Sequence, residues 1–585
     1  AAAGVAMLIA AQLYWSTAEY STYSMRGGSE LEERTALAQD YAFAWSQGVG
    51  ELITLAVPNA YGGSSSEAYW GPKAFTSGPH YAGALTILFL LVGFSLSRHK
   101  LKWVFAGPGI LTLLFALGEH FMLLNDPAFR FIPLFDKFRV PEMWLMVTVF
   151  CFAVVAVMGL SSLITALQAR QPDWKKHLGA ALAITLLLAA IPYQFLSFEK
   201  PGERQQLAQQ IAQQNQVPPD DPRVSQTVNR FVVNELIPQR QEMARSDALR
   251  FLIFIGGGVV LLIVLVLGKL SASAALAGFS LLLVLDLAQV NQRYMNEGAL
   301  VDGSVEREMV IERQQRELDQ YIVENGAHDE GWHYRTLPLL DNPFNNAVPS
   351  YFYPSAGGYS GAKLGYYQDL IDTAIFSGEF GINTGVLAML NVRYLTTGQP
   401  VQIPGFETAL QTDQGSVIEL QNVLPKAWFA DQVEVLESER DVLHRISDGF
   451  DPGATAFITD MAIESPQPDT AATVRVSHYG PNRIELQMER STPGFLVLGE
   501  IWYPPGWQAT LNNEPISIVR TNYVLRGFEI PAGSHTLLLQ MEPVWYQTGN
   551  WLSAIGTLLL FGPGLFGMFL WYRTREKRVK EEDDE

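Results

Sequence analysis

Residues 134–145, LFDKFRVPEMWL, place a short polar segment between two apolar stretches. Lys137 and Arg139 stand close to Asp136 and Glu142, and from Met143 the chain runs apolar to Leu167 without a charge. Proline is tolerated at the first turn of a helix, where its missing N–H has no partner to lose. Pro141 therefore marks the mouth of a helix, and the charges before it form a collar at a membrane surface. As chemistry, two readings stand: interfacial charges on a helix-entry loop, or Arg139 holding an anionic ligand by charge-assisted hydrogen bonds. Other ionisable groups also gather at helix ends: Glu19, Glu119 with His120, Asp126, Asp136, Glu142 and Asp286. A carboxylate placed there can act as general base for a sugar or lipid hydroxyl, though each one singly is explained more simply as an interfacial charge. Tyr61, Tyr69, Trp70 and Tyr81 suit an interfacial aromatic belt, and the same rings suit stacking on a sugar.

Other chemistries find little footing. The nine His form no HExxH or other recognised metal spacing, and the single cysteine, Cys151, excludes an intrachain disulfide. There is no GxSxG elbow. The glycine-rich run YPSAGGYSGAKLGYYQDL, 353–370, matches neither GxGxxG nor GxxxxGK[ST], so no nucleotide site is assigned; an aromatic surface loop or a glycan contact remains. A net charge of -19 argues against nucleic acid as a partner. Helix interiors almost free of ionisable residues give ion-coupled transport little support.

The elements that must position these groups follow from hydropathy. With 48% hydrophobic and 17% charged residues, the chain is expected to mix spanning helices with a sizeable water-soluble part. Eight stretches have the length of a bilayer crossing: 1–18, 81–97, 101–118, 143–167, 178–195, 251–267, 272–290 and 551–572. The first begins already apolar, with no initiator Met or charged leader, which implies a chain starting inside a helix with an upstream portion missing. Basic clusters at Arg98–Lys102, Arg170–Lys176, Lys269 and Arg573–Lys580 all fall on one side of such an arrangement, taken as cytoplasmic. The bundle then spans 1–290 with extracytoplasmic loops 19–80, 119–142 and 197–250. A mixed α/β domain covers 291–423, a β-sandwich-like domain 424–545, a C-terminal transmembrane helix 546–573 and a cytoplasmic tail 574–585. Within 197–250, VPPDDP breaks the chain, and Val224, Val228, Phe231, Val232, Leu236 and Ile237 recur at helical spacing, so a helical hairpin with a kink at Pro238 is expected. A helix is expected over 306–325. In the tail-end module, Asn512-Asn513 and PAGS at 531–534 supply turns between alternating strands.

Several segments together resemble the YfhO-type family of bacterial integral membrane proteins, which belongs with the GT-C-like membrane glycosyltransferases. They are AEYSTYSMRGG (18–28), LAVPNAYGG (55–63) with YWG (69–71), LFDKFRVPEMW (134–144), LNVRYL (390–395), VLPKAWF (423–429), GEIWYPPGWQATLNNEPI (499–516) and LRGFEIPAGSHTL (525–537). In the last pair, Asn513-Glu514 replaces the family's usual glycine-containing turn. The resemblance implies a polytopic α-helical membrane bundle of about eight spans with a large extracytoplasmic α/β and β-sandwich region, in a bacterial cytoplasmic membrane. It implies inverting transfer of a sugar from a polyprenyl-phosphate carrier to an envelope glycolipid or polymer, with metal use left open. Glu19, Arg26 and Arg139 match family-like positions and, with Tyr69, Trp70 and Glu142, are the candidate substrate contacts. The family's catalytic first-loop acids have no counterpart here, so the resemblance leaves the base unnamed. The rival reading is a non-catalytic membrane scaffold or accessory subunit, whose β module binds a protein partner or an envelope polymer.

Overall fold

The computed structural model describes residues 2–583 apart from 29–30, 32–36, 66–67, 172, 195, 297–299, 301–313, 327–333, 379, 402–403, 422, 460–465 and 468; side chains are not described for 2–3, 192–194 and 573–583. The chain divides into two compact units, one of residues 1–38 with 304–585 and one of residues 39–303.

The 39–303 unit is helical. Leu145–Gln168, Trp174–Gln194 and Ala272–Tyr294 are long and apolar, as is the run Pro222–Val266. Lys102–Ala116 continues into Gly118–Phe131 through a bend of 117°. Gly118 makes that bend: its φ is +45°, and a Cβ there would lie 1.9 Å from Ser46 Oγ. Ala84–Leu96 has 13 residues, roughly 20 Å of helix against the ~30 Å of a hydrocarbon core, and most of it is buried. It is the central core helix of this unit. Gly93 and Gly159 let it approach Leu145–Gln168 closely, since a Cβ on Gly159 would meet the Phe89 carbonyl oxygen at 2.1 Å. The 197–250 segment is the expected hairpin. Glu203–Asn215 and Pro222–Phe231 flank the VPPDDP break, and Val224, Val228 and Val232 pack against Ala212. Ahead of Pro238 the helix carries a π turn, Val232–Leu236, before resuming as Ile237–Val266.

The other unit pairs the N-terminal and C-terminal helices. Ala2–Ile9 and Ala11–Tyr23 pack along Val544–Asp583, with Gly549 and Gly556 at the contact. A four-stranded sheet runs in the order Arg335–Leu337, Val392–Thr397, Gly415–Leu420, Phe406–Thr412, and its first pair is parallel. The expected 306–325 helix is Glu317–Gly326 among the described residues. A β-sandwich follows. One sheet orders Val519–Thr521, Leu525–Ile530, Gly494–Leu498 and Ala427–Ala430. The other orders Glu514–Ile516, Trp507–Leu511, Gly533–Met541, Arg483–Arg490 and Thr473–Gly480. Ile484, Leu486 and Met488 alternate inward to meet Leu496, Leu498 and Phe528. One part of 424–545 departs from an all-β reading: parallel strands Gln432–Leu436 and Thr455–Thr459 are joined by helix Glu439–Ser447. Val442, Leu443 and Ile446 give that helix one buried face, and Ser438 caps it by accepting from the Asp441 N–H at 3.2 Å.

Leu511 pairs with Glu514 across the two-residue turn Asn512-Asn513, with φ of 51° and 72°. Both positions require the left-handed region, which asparagine tolerates and glycine prefers. Asn513→Gly is expected to stabilise the chain by roughly 0.5 kcal/mol, read as a small rise in the thermal midpoint; a fall would contradict this turn geometry.

Among the described residues, five helices are long and apolar enough to cross a membrane, or six with the bent pair counted as one span. Their apolar side chains stand largely uncovered: Leu558, Phe561, Leu565 and Phe566 are each 59–69% exposed. Exposed apolar surface on this scale marks the chain as a membrane protein. Of the eight stretches expected to span, 81–97 and 1–18 form shorter helices.

Candidate functional site

In the 39–303 unit, the segment 39–80 folds over the helix ends reached by 117–145. Gln47 N–H donates to the Ala116 carbonyl at 2.8 Å, Ser46 Oγ accepts from Glu119 N–H at 2.9 Å, and Glu142 N–H reaches the Trp45 carbonyl at 3.3 Å. The short turns Gly50–Leu55 and Pro58–Tyr61 drive Ile53, Val57 and Ala60 into the helical core. That packing carries Glu51 inside with them.

Glu51 is 2% exposed. Its carboxylate accepts from the Tyr69 hydroxyl at 2.6 Å and the Gly48 N–H at 2.9 Å, and Lys73 Nζ lies 3.7 Å away. Lys73 is itself buried, donates to Gln47 Oε1 at 3.1 Å and forms an ion pair with Glu142. A buried ammonium between two carboxylates and an amide has the partners that burial demands. A small cavity opens here, lined by Glu51, Tyr61, Tyr69, Lys73, Thr76 and His80. Burial first, and Glu51 second, push the Tyr69 hydroxyl far above its ordinary range, so it is a neutral donor. Burial also holds His80 below the usual imidazole range, opposed by Glu142 and aided by Lys73. His80 is therefore neutral at pH 7, lines the cavity and makes no hydrogen bond to the described residues.

Arg139 lies three residues before Glu142. Its guanidinium is clamped between the rings of Tyr41, at 4.4 Å, and Trp45, at 4.2 Å, and donates to the Tyr41 hydroxyl. Its Nε is buried without a hydrogen-bond partner. The side chain lines a second cavity with Phe43, Phe135, Phe138, Val140 and Trp144. Val140 is a β-branched residue at φ 69°, between Arg139 and Pro141. Such a conformation costs about 1–3 kcal/mol and recurs at functional sites.

Of the six candidate residues, this arrangement brings Tyr69 and Glu142 onto one cluster and Arg139 beside it. Trp70 is different. It is 1% exposed, packed on Phe198 and Ala244, with the Arg240 guanidinium 5.4 Å from its ring centre. Its ring is a core element here and offers no open face for a sugar. Glu19 and Arg26 belong to the other unit, where Arg26 Nε donates to the Gly361 carbonyl at 3.1 Å and Tyr20 to the Ala362 carbonyl at 2.8 Å. Arg26 and Tyr20 thus tie the N-terminal segment to the glycine-rich 353–370 loop.

Glu51, Lys73 and His80 went unremarked in the sequence. A signal existed for Glu51, a lone charge immediately before the apolar run LITLAVP, 52–58. A second buried network was also missed. Asp247 accepts from Arg293 at 2.6 and 2.7 Å, from Arg250 at 3.1 Å and from Asn59 N–H at 3.0 Å. Asp286 accepts from the Tyr81 hydroxyl at 2.7 Å and Ala84 N–H at 2.8 Å, and pairs with Arg250. Among the described residues, no group of three His, Cys, Asp or Glu side chains is placed to hold a metal ion.

The class these features define is a helical membrane protein with a separate sheet-rich region. No family model, curated protein or solved structure matches the chain.

Proposed function

We propose that this chain is a membrane glycosyltransferase of the YfhO type, transferring a sugar from a polyprenyl-phosphate carrier to a cell-envelope glycolipid or polymer. In this reading it crosses a bacterial cytoplasmic membrane about eight times, with the shorter helices 84–96 and 2–23 among the crossings. The sheet-rich region then faces outward and the C-terminus the cytoplasm. The observation that carries the reading is the aromatic-clamped Arg139, whose Nε is buried without a partner in a cavity of its own. His80 lines the neighbouring cluster's cavity, to which Glu142, three residues after Arg139, is joined through Lys73. The two side chains, His80 and Arg139, take the roles of base and anion contact in a displacement at a sugar carbon. His80 takes the proton of the acceptor hydroxyl as its oxygen bonds to the anomeric carbon. The bond from that carbon to the carrier phosphate breaks, its electron pair leaves with the phosphate, and Arg139 stabilises the departing anion. Lys73 holds Glu51 and Glu142 in place beside the base.

The test is sugar transfer in proteoliposomes carrying a polyprenyl-phosphate sugar. Arg139→Ala is expected to lower the rate on the order of 10²–10³-fold, and His80→Ala on the order of 10²–10⁴-fold. Because the folded pKa of His80 is depressed, the rate should hold through neutral pH and fall on acidification below the usual imidazole range. Full activity in both variants would sink the reading and leave the scaffold alternative.

A further inference from the structure

The segment 499–516 takes no part in the transfer site. In the β-sandwich it builds an open groove of about 450 Å³. Trp502, Tyr503, Trp507, Gln508, Thr510 and Ile516 are on its walls, and among the described residues no Asp, Glu, Lys or Arg lines it. The two indole rings are held firmly. The Arg526 guanidinium sits 4.3 Å from the Trp507 ring centre, and the Arg520 guanidinium 5.0 Å from that of Trp502. Neither arginine is among the residues that line the groove. Neither indole N–H donates to the described residues, and neither do the side chains of Gln508 and Thr510. The groove thus presents fixed aromatic faces interspersed with uncharged, unused donors and acceptors.

We infer that this groove is a binding site for a neutral saccharide. A pyranose ring has apolar C–H faces bordered by hydroxyls, and it is recognised by aromatic faces together with neutral hydrogen-bonding groups. An anionic ligand would call for a cation exposed on the wall, and none of the described lining residues is one. An acyl chain would leave two indole N–H groups, an amide and a hydroxyl without partners. The groove stands on its own observations, independently of the transfer reaction.

The experiment is titration of the full chain, in a detergent without a sugar head group, with maltohexaose, cellohexaose and chitohexaose, followed by tryptophan emission and calorimetry. Saturable binding of at least one is expected. Trp507→Ala should weaken it at least tenfold and Gln508→Ala several-fold, while Trp507→Phe, which keeps an aromatic face, retains most of it. No binding by the folded protein up to ~10 mM, a ceiling set by the weak end of specific affinity, would overturn the inference. So would binding that survives both Trp507→Ala and Gln508→Ala, or the same tryptophan signal saturated by an alkyl chain and by no saccharide. Since binding alone is read, an absence of sugar transfer would count against the proposed reaction and leave the groove standing.

Discussion

Glu500→Gln is expected to destabilise the sheet-rich unit by about 3–5 kcal/mol, the scale of a broken buried ion pair. Glu500 accepts from Arg335 Nη2 and from the Tyr479 hydroxyl, both at 2.8 Å, and pairs with Lys426, which is 4% exposed. Arg335 also donates to the carbonyls of Leu390 and Gly499 at 2.9 Å, so the cluster ties the four-stranded sheet to the sandwich. Glutamine keeps the shape and removes the charge, leaving Lys426 and Arg335 buried without a counter-ion. The pH dependence follows from the same contacts. Burial pushes the Glu500 carboxyl up, but Arg335 and then Lys426 outweigh it and hold it at about 2 against an ordinary 4.5. The folded state thus binds this proton less readily than the unfolded state. Its stabilising contribution is fully present above about pH 4.5 and is lost as pH falls toward 2, a difference of roughly 3 kcal/mol. Denaturant unfolding at pH 7 and pH 3 checks both statements. Equal pH sensitivity in the wild type and Glu500→Gln would show that the acid loss arises elsewhere. Glu485→Gln, which breaks an exposed pair with Arg483, should change nothing measurable.

Asp286→Ala should be of similar size in the helical unit, again about 3–5 kcal/mol. Asp286 is 0% exposed and satisfies Tyr81, Ala84 and Arg250 together. Arg250 already has one guanidinium nitrogen, Nη2, buried without a partner. Removing the carboxylate would leave more of that charge uncompensated. The paired replacement Arg250→Met with Asp286→Leu removes the charge along with its partner, while Asp247 retains Arg293 and Asn59. The double variant should therefore unfold at a higher temperature than Asp286→Ala. A double variant less stable than the single one would mean that Arg250 stabilises chiefly through Asp247.

Features that depend on a few neighbouring residues could be read from the sequence. Pro141 begins the short turn Pro141–Trp144 before Leu145–Gln168, VPPDDP separates two helices, and Asn512-Asn513 closes a hairpin. The alternation in 483–489 anticipated a strand with one buried face. Features that depend on distant partners were not legible. Glu51, Lys73, His80 and Glu142 have no common spacing, and only the fold of 39–80 over the helix ends assembles them. Asp247, Arg250 and Arg293 look like the charged ends of helices until Asp286 and Asn59 are placed beside them. Trp70 illustrates the converse: an aromatic residue in a polar loop read as surface, because nothing local announces that Phe198 and Ala244 cover it. The helix Glu439–Ser447 was overlooked because its short apolar pattern sits among strands, although Ser438 and Asp441 mark its start.

The most direct measurement is a single-turnover reaction of the purified chain in nanodiscs with a radiolabelled polyprenyl-phosphate sugar of known anomeric configuration and a lipid acceptor. Release of polyprenyl phosphate in step with a product of inverted configuration, lost in Arg139→Ala and His80→Ala, is the expected result. A folded wild-type chain that releases no polyprenyl phosphate, or a product that retains the donor's configuration, would contradict it.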